Sequence, residues 1–419
     1  MKWWRAIFIF IAAVQPCAAQ KNVLIDIIHS NSLELKYHNV FEHTSRYHFQ
    51  VIYTQINRDS NNVAHLKKHY LYPPTTNYYY PASLVKLPLV ALALEKIDSL
   101  NKIYGITKDT RLKIDSAYKC ETTELYDSTS ATNYPSIAQY IKRMLLVSDN
   151  YAYNRLYEFL TPKYINRRLH ELGYKDAIIN QRFNPNCDST ANRYTNPFTF
   201  LADDGAVMYK QAGDSNMGNI NNVALHTVIG KGFMDDKNVK MKPARDFRRN
   251  NYMPFKNEND ILLSIIFPHD FPPAHRFRLS KEDYEFLYTY MGMLPKESEH
   301  PHYDRVNYPD NLKKYIYFGT SDTINSTSVR SLNIVGRAYG FLADCTYMID
   351  TVTHAEFCLS VLMYLNEKNV LNTGKYEYID IGLPFMTDLG QAIMEYERKR
   401  KRKYEPDLSK FSNLWNTNK

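Results

Sequence analysis

The stretches of this chain that read as β-strands lie near its two ends, with a long, mainly helical stretch, Lys86 to Asn325, between them. His48 to Asn57 alternates apolar and polar residues, and Ala64 to Tyr72 follows a turn at Asp59 to Asn62. Far downstream, Asn333 to Thr351 and Glu356 to Asn366 are apolar, β-rich runs that suit an antiparallel pair. Two strands alone are marginal in water, so the two groups are expected to meet in one antiparallel sheet. Helices predicted over Val23 to Phe41 and Phe385 to Tyr396 would flank it. The expected class is α+β, an α/β sandwich with an inserted helical lobe. In residues, the sandwich takes 21–85 and 326–400 and the helical lobe 86–325, with an insertion at about 205–325 and a basic tail at 401–419.

With 419 residues, 44% hydrophobic and 23% charged, the chain has ample material for a packed core, which excludes a disordered or fibrous protein. Residues 1–20 carry Lys2 and Arg5, an apolar run from Ala6 to Val14, and small residues at Cys17, Ala18 and Ala19. This is the pattern of a secretory leader and predicts passage across the inner membrane to the periplasm. The run is short of the roughly 20 residues that a spanning helix needs. Val14-Gln15-Pro16 ahead of Cys17 departs from the Leu-small-small pattern of lipid-modified cysteines, so no lipid anchor is expected.

Without the leader, 50 basic residues stand against 44 acidic ones, a mild excess. The densest basic run, Arg398 to Lys403, closes a predicted helix, where the helix dipole favours cations, and reads as a solvated end rather than a nucleic-acid or membrane patch. Cys120, Cys187, Cys345 and Cys358 show no metal-type spacing; Cys345 and Cys358 suit either cross-strand pairing or buried free thiols. His65 and His69 lack a third ligand, so neither a metal nor a cofactor is expected. The 35 tyrosines suit interior packing and a lined cleft.

Chemistry concentrates in two short motifs. Ser83-Leu84-Val85-Lys86 puts a hydroxyl and an amine on one helical face, since residues i and i+3 are neighbours on a helix. The apolar run from Leu84 to Leu94 supplies the burial that lowers a lysine pKa and lets it take the serine proton. Pro88, early in that helix, predicts a local bend. Ser148-Asp149-Asn150 follows downstream. Capping is a second reading open to Ser83, Asp149 and Asn150.

Pro81 to Pro88, together with Ser148-Asp149-Asn150, resembles the class A β-lactamase and penicillin-binding protein superfamily, and the order of segments over residues 35–400 fits it too. The resemblance implies a β-lactamase/transpeptidase-like fold, with Ser83 as nucleophile, Lys86 as base or proton relay, Ser148 as proton donor to the leaving nitrogen, and Asn150 holding the lysine and the substrate amide. The third motif falls on the strand Asn333 to Gly340, where Gly336 is kept but Ile334 stands in the cation's place. Arg337 offers a replacement charge, and its N–H, with that of Ser83, the expected oxyanion hole. In the segment Arg182 to Asp188, Asn184 matches the deacylating glutamate, and Asp188 is the nearby carboxylate available to replace it.

The expectation is an exported serine hydrolase acting on a β-lactam or peptidoglycan-derived acyl amide, with slow hydrolysis of the acyl-enzyme. The rivals are a D-Ala-D-Ala peptidase or other serine amidase or esterase, and a non-hydrolytic sensor or binder.

Overall fold

Turn-forming residues set the element boundaries. In the computed structural model, which describes residues 22–415 apart from 73–76, 120–121, 185–186, 189, 217, 219–223, 225, 236, 238 and 242–243, three short helices open the chain: α1 (Val23–Ser30), α2 (Leu33–Lys36) and α3 (His38–Glu42). The leader with Cys17, the Pro73-Pro74 pair and Cys120 lie outside the described residues. The single helix expected over Val23 to Phe41 is broken at Ser32, whose φ is 55°, and at Tyr37. Just before the break, Ser30 Oγ and Asn31 Nδ2 both donate to the Ile27 carbonyl, the local competition that ends helices at such residues.

Strands β1 (Gln50–Arg58) and β2 (Ala64–Leu71) follow, then a 3-10 turn, Ala82–Val85, that runs into α4 (Lys86–Tyr104). Next come β3 (Leu112–Ile114), the helices α5 (Ile137–Val147), α6 (Asn150–Leu160) and α7 (Pro162–Glu171), and the strands β4 (Phe198–Leu201) and β5 (Val207–Gln211). Short ladders β6 (Val228–Ile229), β7 (Gly232–Met234), β8 (Lys240–Met241) and β9 (Arg245–Asp246) precede α8 (Phe255–Ile266) and α9 (Lys281–Gly292). The chain closes with β10 (Val329–Ala338), β11 (Phe341–Asp350), β12 (Ala355–Tyr364), β13 (Val370–Leu371) and α10 (Leu383–Lys399). Ladders as short as β3 to β9 carry no period-2 signal, and the sequence reading of this stretch as helix and loop passes over them.

The ends of the chain meet as expected. Five strands form one antiparallel sheet in the order β10-β11-β12-β1-β2, with Thr54 of β1 opposite Cys358 of β12. Val51 and Tyr53 pack toward α1 and α10, through Leu24, Ile28, Leu389 and Ile393, while Ile52 and Ile56 face the cluster built on α4, α8 and α9. Both faces are covered, so every residue of β11 and β12 is buried and the strands read as continuous apolar runs. That continuity hides a turn. The segment expected as one strand from Asn333 to Thr351 is two, folded at Tyr339 (φ 54°) and Gly340 (φ 93°), the positive pair that a two-residue hairpin needs.

Pro88 sits in the first turn of α4, where its missing N–H is one the helix cannot use, and the irregularity takes the form of the switch from 3-10 to α winding at Lys86. Cys345 and Cys358 are buried free thiols, opposite Ser360 and Tyr347 respectively, and Cys187 is in a disulfide. Among the described residues no helix is long and apolar enough to cross a membrane.

Candidate active site

The first part of α4, Lys86 to Glu95, is buried on all sides, and Lys86, its first residue, has no exposed surface. A buried ammonium needs acceptors, and the end of α5 provides them. There Ser148 adopts a left-handed conformation (φ 58°), which ends α5 and lets Asp149 cap α6 by accepting from the N–H groups of Tyr151 and Ala152. The turn aims three oxygens at Lys86. Its Nζ lies 2.5 Å from the Ser148 carbonyl, 3.0 Å from Ser148 Oγ and 2.8 Å from Asn150 Oδ1. Phe183 and Tyr153, stacked 4.3 Å apart, close over it, with Nζ 5.4 Å and 6.0 Å from their ring centres.

Burial drives the Lys86 pKa well below its ordinary value; Asp149 pulls it back up, and Lys313 pushes it further down. A neutral amine at this spot can receive the Ser148 hydroxyl proton instead of donating to it.

Ser83 lies one turn before Lys86, in the 3-10 segment. It caps neither this segment nor α4, which leaves its hydroxyl for the cavity it lines. Ala82, directly before it, is held at φ 47°, a strained conformation for a residue with a Cβ. Edge strand β10 presses against this turn. A Cβ added to Gly336 would stand 2.4 Å from the Pro81 carbonyl oxygen, so only glycine permits the approach. The closing pair of the hairpin, Ala338 and Phe341, exchanges hydrogen bonds in such a turn. Ladder alternation therefore points the Arg337 N–H off the sheet edge, on the Ser83 side.

Ser83, Asn150, Asn184 and Arg337 all line one cavity of about 650 Å³; Lys86 is buried outside it and is joined to its wall through Asn150 Oδ1. The segment carrying Asn184 is anchored by Arg182, which donates to Glu158 Oε1 (2.8 Å) and to the carbonyls of Ala191 and Tyr194, and by the Phe183 N–H on Asn154 Oδ1. Asp188 is placed differently. It is exposed, 2.9 Å from Lys119 Nζ, and accepts from the N–H groups of Thr190 and Ala191. Those contacts hold its carboxyl below the usual carboxylate range, and it does not line the cavity.

A polar cluster that sequence reasoning missed stands behind Lys86. Lys313 is fully buried, donates to the Leu145 carbonyl one turn ahead of Ser148, and is pushed down to about 7 by burial. Lys314 donates to Asn333 Oδ1 and the carbonyls of Ser331 and Met291, and Asn333 Nδ2 donates in turn to Asp344, whose carboxyl burial raises to about 6. Ile334 itself is core. Lys313 thus stands close to Lys86 from a separate segment, buried and outside the cavity wall. Among the described residues no group of His, Cys, Asp and Glu side chains is arranged to hold a metal ion.

The model of the beta-lactamase enzyme family matches residues 34–245, half of the chain. This protein belongs to the beta-lactamase enzyme family. Hydrolysis is accordingly the family's reaction, and a small β-lactam is the substrate type the family implies. No curated protein matches this family member significantly. Solved structures similar to it include β-lactamases from three bacteria, each at a TM-score below 0.5. That from Streptosporangium roseum is 11% identical at a TM-score of 0.46, covering 88% of this chain and 98% of that one. That from Xanthomonas campestris is 11% identical at 0.45, covering 89% and 98%. That from Sphaerobacter thermophilus is 10% identical at 0.43, covering 89% and 96%.

Proposed function

We propose that this member of the family is an exported hydrolase that opens a β-lactam or related acyl amide through a covalent ester on Ser83. The observation that carries the reading is the buried Lys86 amine, held 3.0 Å from Ser148 Oγ and 2.8 Å from Oδ1 of Asn150, which lines the same cavity as Ser83. Ser83 Oγ attacks the carbonyl carbon and its proton passes to Lys86. Negative charge on the carbonyl oxygen is met by the N–H groups of Ser83 and Arg337. Ser148 hands a proton to the leaving nitrogen as the C–N bond breaks, and is reprotonated by Lys86. Asn150 and the Arg337 guanidinium bind the substrate's polar groups.

The second step, attack of water on the ester, needs a base. Asn184, which the resemblance sets in place of the base, has an amide that cannot accept a proton from water, and it lines the cavity, while Asp188 is engaged with Lys119. The ester is therefore long-lived. This favours, as a second reading, a penicillin-binding or sensing role in which occupancy of Ser83 is the output.

Intact mass measured over time with a fluorescent penicillin, on wild type and Ser83→Ala, tests both. A stable adduct on wild type alone supports the Ser83 ester with slow release. A transient adduct with consumption of the penicillin means efficient turnover and removes the sensor reading. No adduct on a folded wild type removes the β-lactam reading.

A further inference from the structure

Among the described residues the cavity wall contains five arginines and neither aspartate nor glutamate. One of these, Arg182, is neutralised by buried Glu158. Three others come from different places: Arg245 from β9, Arg249 from the turn after it, and Arg337 from the end of β10. Among the described residues none of these three forms an ion pair. Arg245 donates to the Tyr339 hydroxyl at 3.1 Å and stacks on the Tyr339 and Phe247 rings, and Arg337 lies over the Tyr378 ring. The acid between Arg245 and Arg249, Asp246, is taken by Thr227 and Arg248. A guanidinium stays charged at any working pH, so a ligand that fills the cavity desolvates fixed positive charges that the protein does not compensate.

A single carboxylate beside the scissile amide can answer one of them. We infer that the substrate is an acyl amide bearing at least two anionic groups, an acidic peptide amide or a β-lactam with a second carboxylate on its side chain. The remote anion is held by Arg245 and Arg249. This gives the segment after β5 a role: it brings the β6–β9 ladder to the cavity mouth and adds charge the sheet edge lacks. A cavity of about 650 Å³ suits such a small molecule.

The inference rests on the Ser83 reading, and two measurements separate them. In the first, acylation rates of the full-length mature protein are compared for a penicillin with a neutral aryl-acetyl side chain and its counterpart carrying one added carboxylate there. Charge-assisted hydrogen bonds predict a preference of about tenfold or more for the added carboxylate at low salt. The preference should shrink at high salt and fall toward one in Arg249→Ala, an exposed position outside the core. Equal rates, or a preference for the neutral side chain, overturn the inference while leaving the Ser83 ester intact. In the second, folded Ser83→Ala is titrated calorimetrically with N-acyl dipeptides carrying one and two carboxylates, so binding is read without acylation. Tighter binding of the doubly charged peptide supports the inference even if neither penicillin acylates the wild type. Equal binding overturns it.

Discussion

Replacing Gly336 with alanine tests whether strand β10 forms one wall of the oxyanion site. The added Cβ would stand 2.4 Å from Pro81 O and 3.1 Å from Leu84 Cγ. An ordinary carbon–oxygen contact is about 3.3 Å, so the strand and the Ser83 turn must part by roughly 0.9 Å. Both obstacles resist: one is backbone, the other a buried core side chain. Overpacking of this kind costs about 1–3 kcal/mol of stability. Its effect on chemistry should be larger, because the Arg337 N–H moves with Gly336 away from the Ser83 N–H. Loss of one oxyanion donor lowers rates by about 10²–10³-fold. Stopped-time mass spectrometry of penicillin acylation, with thermal unfolding alongside, reads both quantities. Gly292→Ala serves as control, since the nearest atoms to its Cβ belong to the Leu414 side chain, 2.6 Å away, and neither residue lines the cavity; it should destabilise without slowing acylation. If folded Gly336→Ala acylates at the wild-type rate, the placement of the oxyanion site between β10 and the Ser83 turn is wrong.

Four further outcomes are expected. Lys86→Arg, which keeps charge but cannot act as a base, should lower acylation by about 10³-fold, the middle of the range for general-base loss. Burial holds Lys86 below 10.5, so the unfolded chain binds more protons here between the folded pKa and 10.5, and the site's contribution to stability rises with pH across that window; Lys86→Met should remove that slope in denaturation curves. Asn184→Glu places a carboxylate on the cavity wall and should shorten the acyl-enzyme lifetime by tenfold or more, read by decay of the mass adduct; an unchanged lifetime means that Asn184 does not face the ester. Glu258 is fully buried with no hydrogen-bond partner for either oxygen among the described residues, and burial raises its pKa well above 4.5. The folded state keeps a proton the unfolded state loses, so stability falls as pH rises above 4.5, and Glu258→Gln should flatten that fall and gain about 1–2 kcal/mol at pH 8.

Ser83, Lys86, Ser148 and Asn150 were legible in sequence because their geometry is local. An i, i+3 pair at a helix start fixes Ser83 and Lys86, and a helix-to-helix turn fixes Ser148 and Asn150. Gly336 was legible for a related reason, since a glycine in an apolar strand marks a close approach, here to Pro81 O. The sheet was legible because its two halves cannot be stable apart. What sequence withheld depends on burial from outside the local segment. Lys313-Lys314 follows Asn311 in a polar stretch and looks like solvated surface, yet the chain folds it under α9 and the sheet, where Leu145, Met291 and Ser331 supply carbonyls. Arg245 and Arg249 lie in an irregular segment between short ladders, and only the paired register of Val228 with Asp246 and Ile229 with Arg245 positions them.

The same distinction bears on the departure at Ile334. Read along the sequence, a strand residue that should carry charge has become apolar, and the site looks impaired. In space Ile334 completes the core beneath α4, while the Lys313 ammonium reaches the end of α5 from the opposite direction. The apolar residue in the strand therefore serves packing, and Lys313 braces the carbonyl at the end of α5 that precedes the Ser148 turn. That carbonyl, of Leu145, lies three residues before Ser148 on a helix that the left-handed Ser148 turn ends. The apolar residue at Ile334 is therefore weak grounds for the loss of function here, whereas the proposed change in the second step rests on Asn184 and on a cavity wall that no described carboxylate reaches.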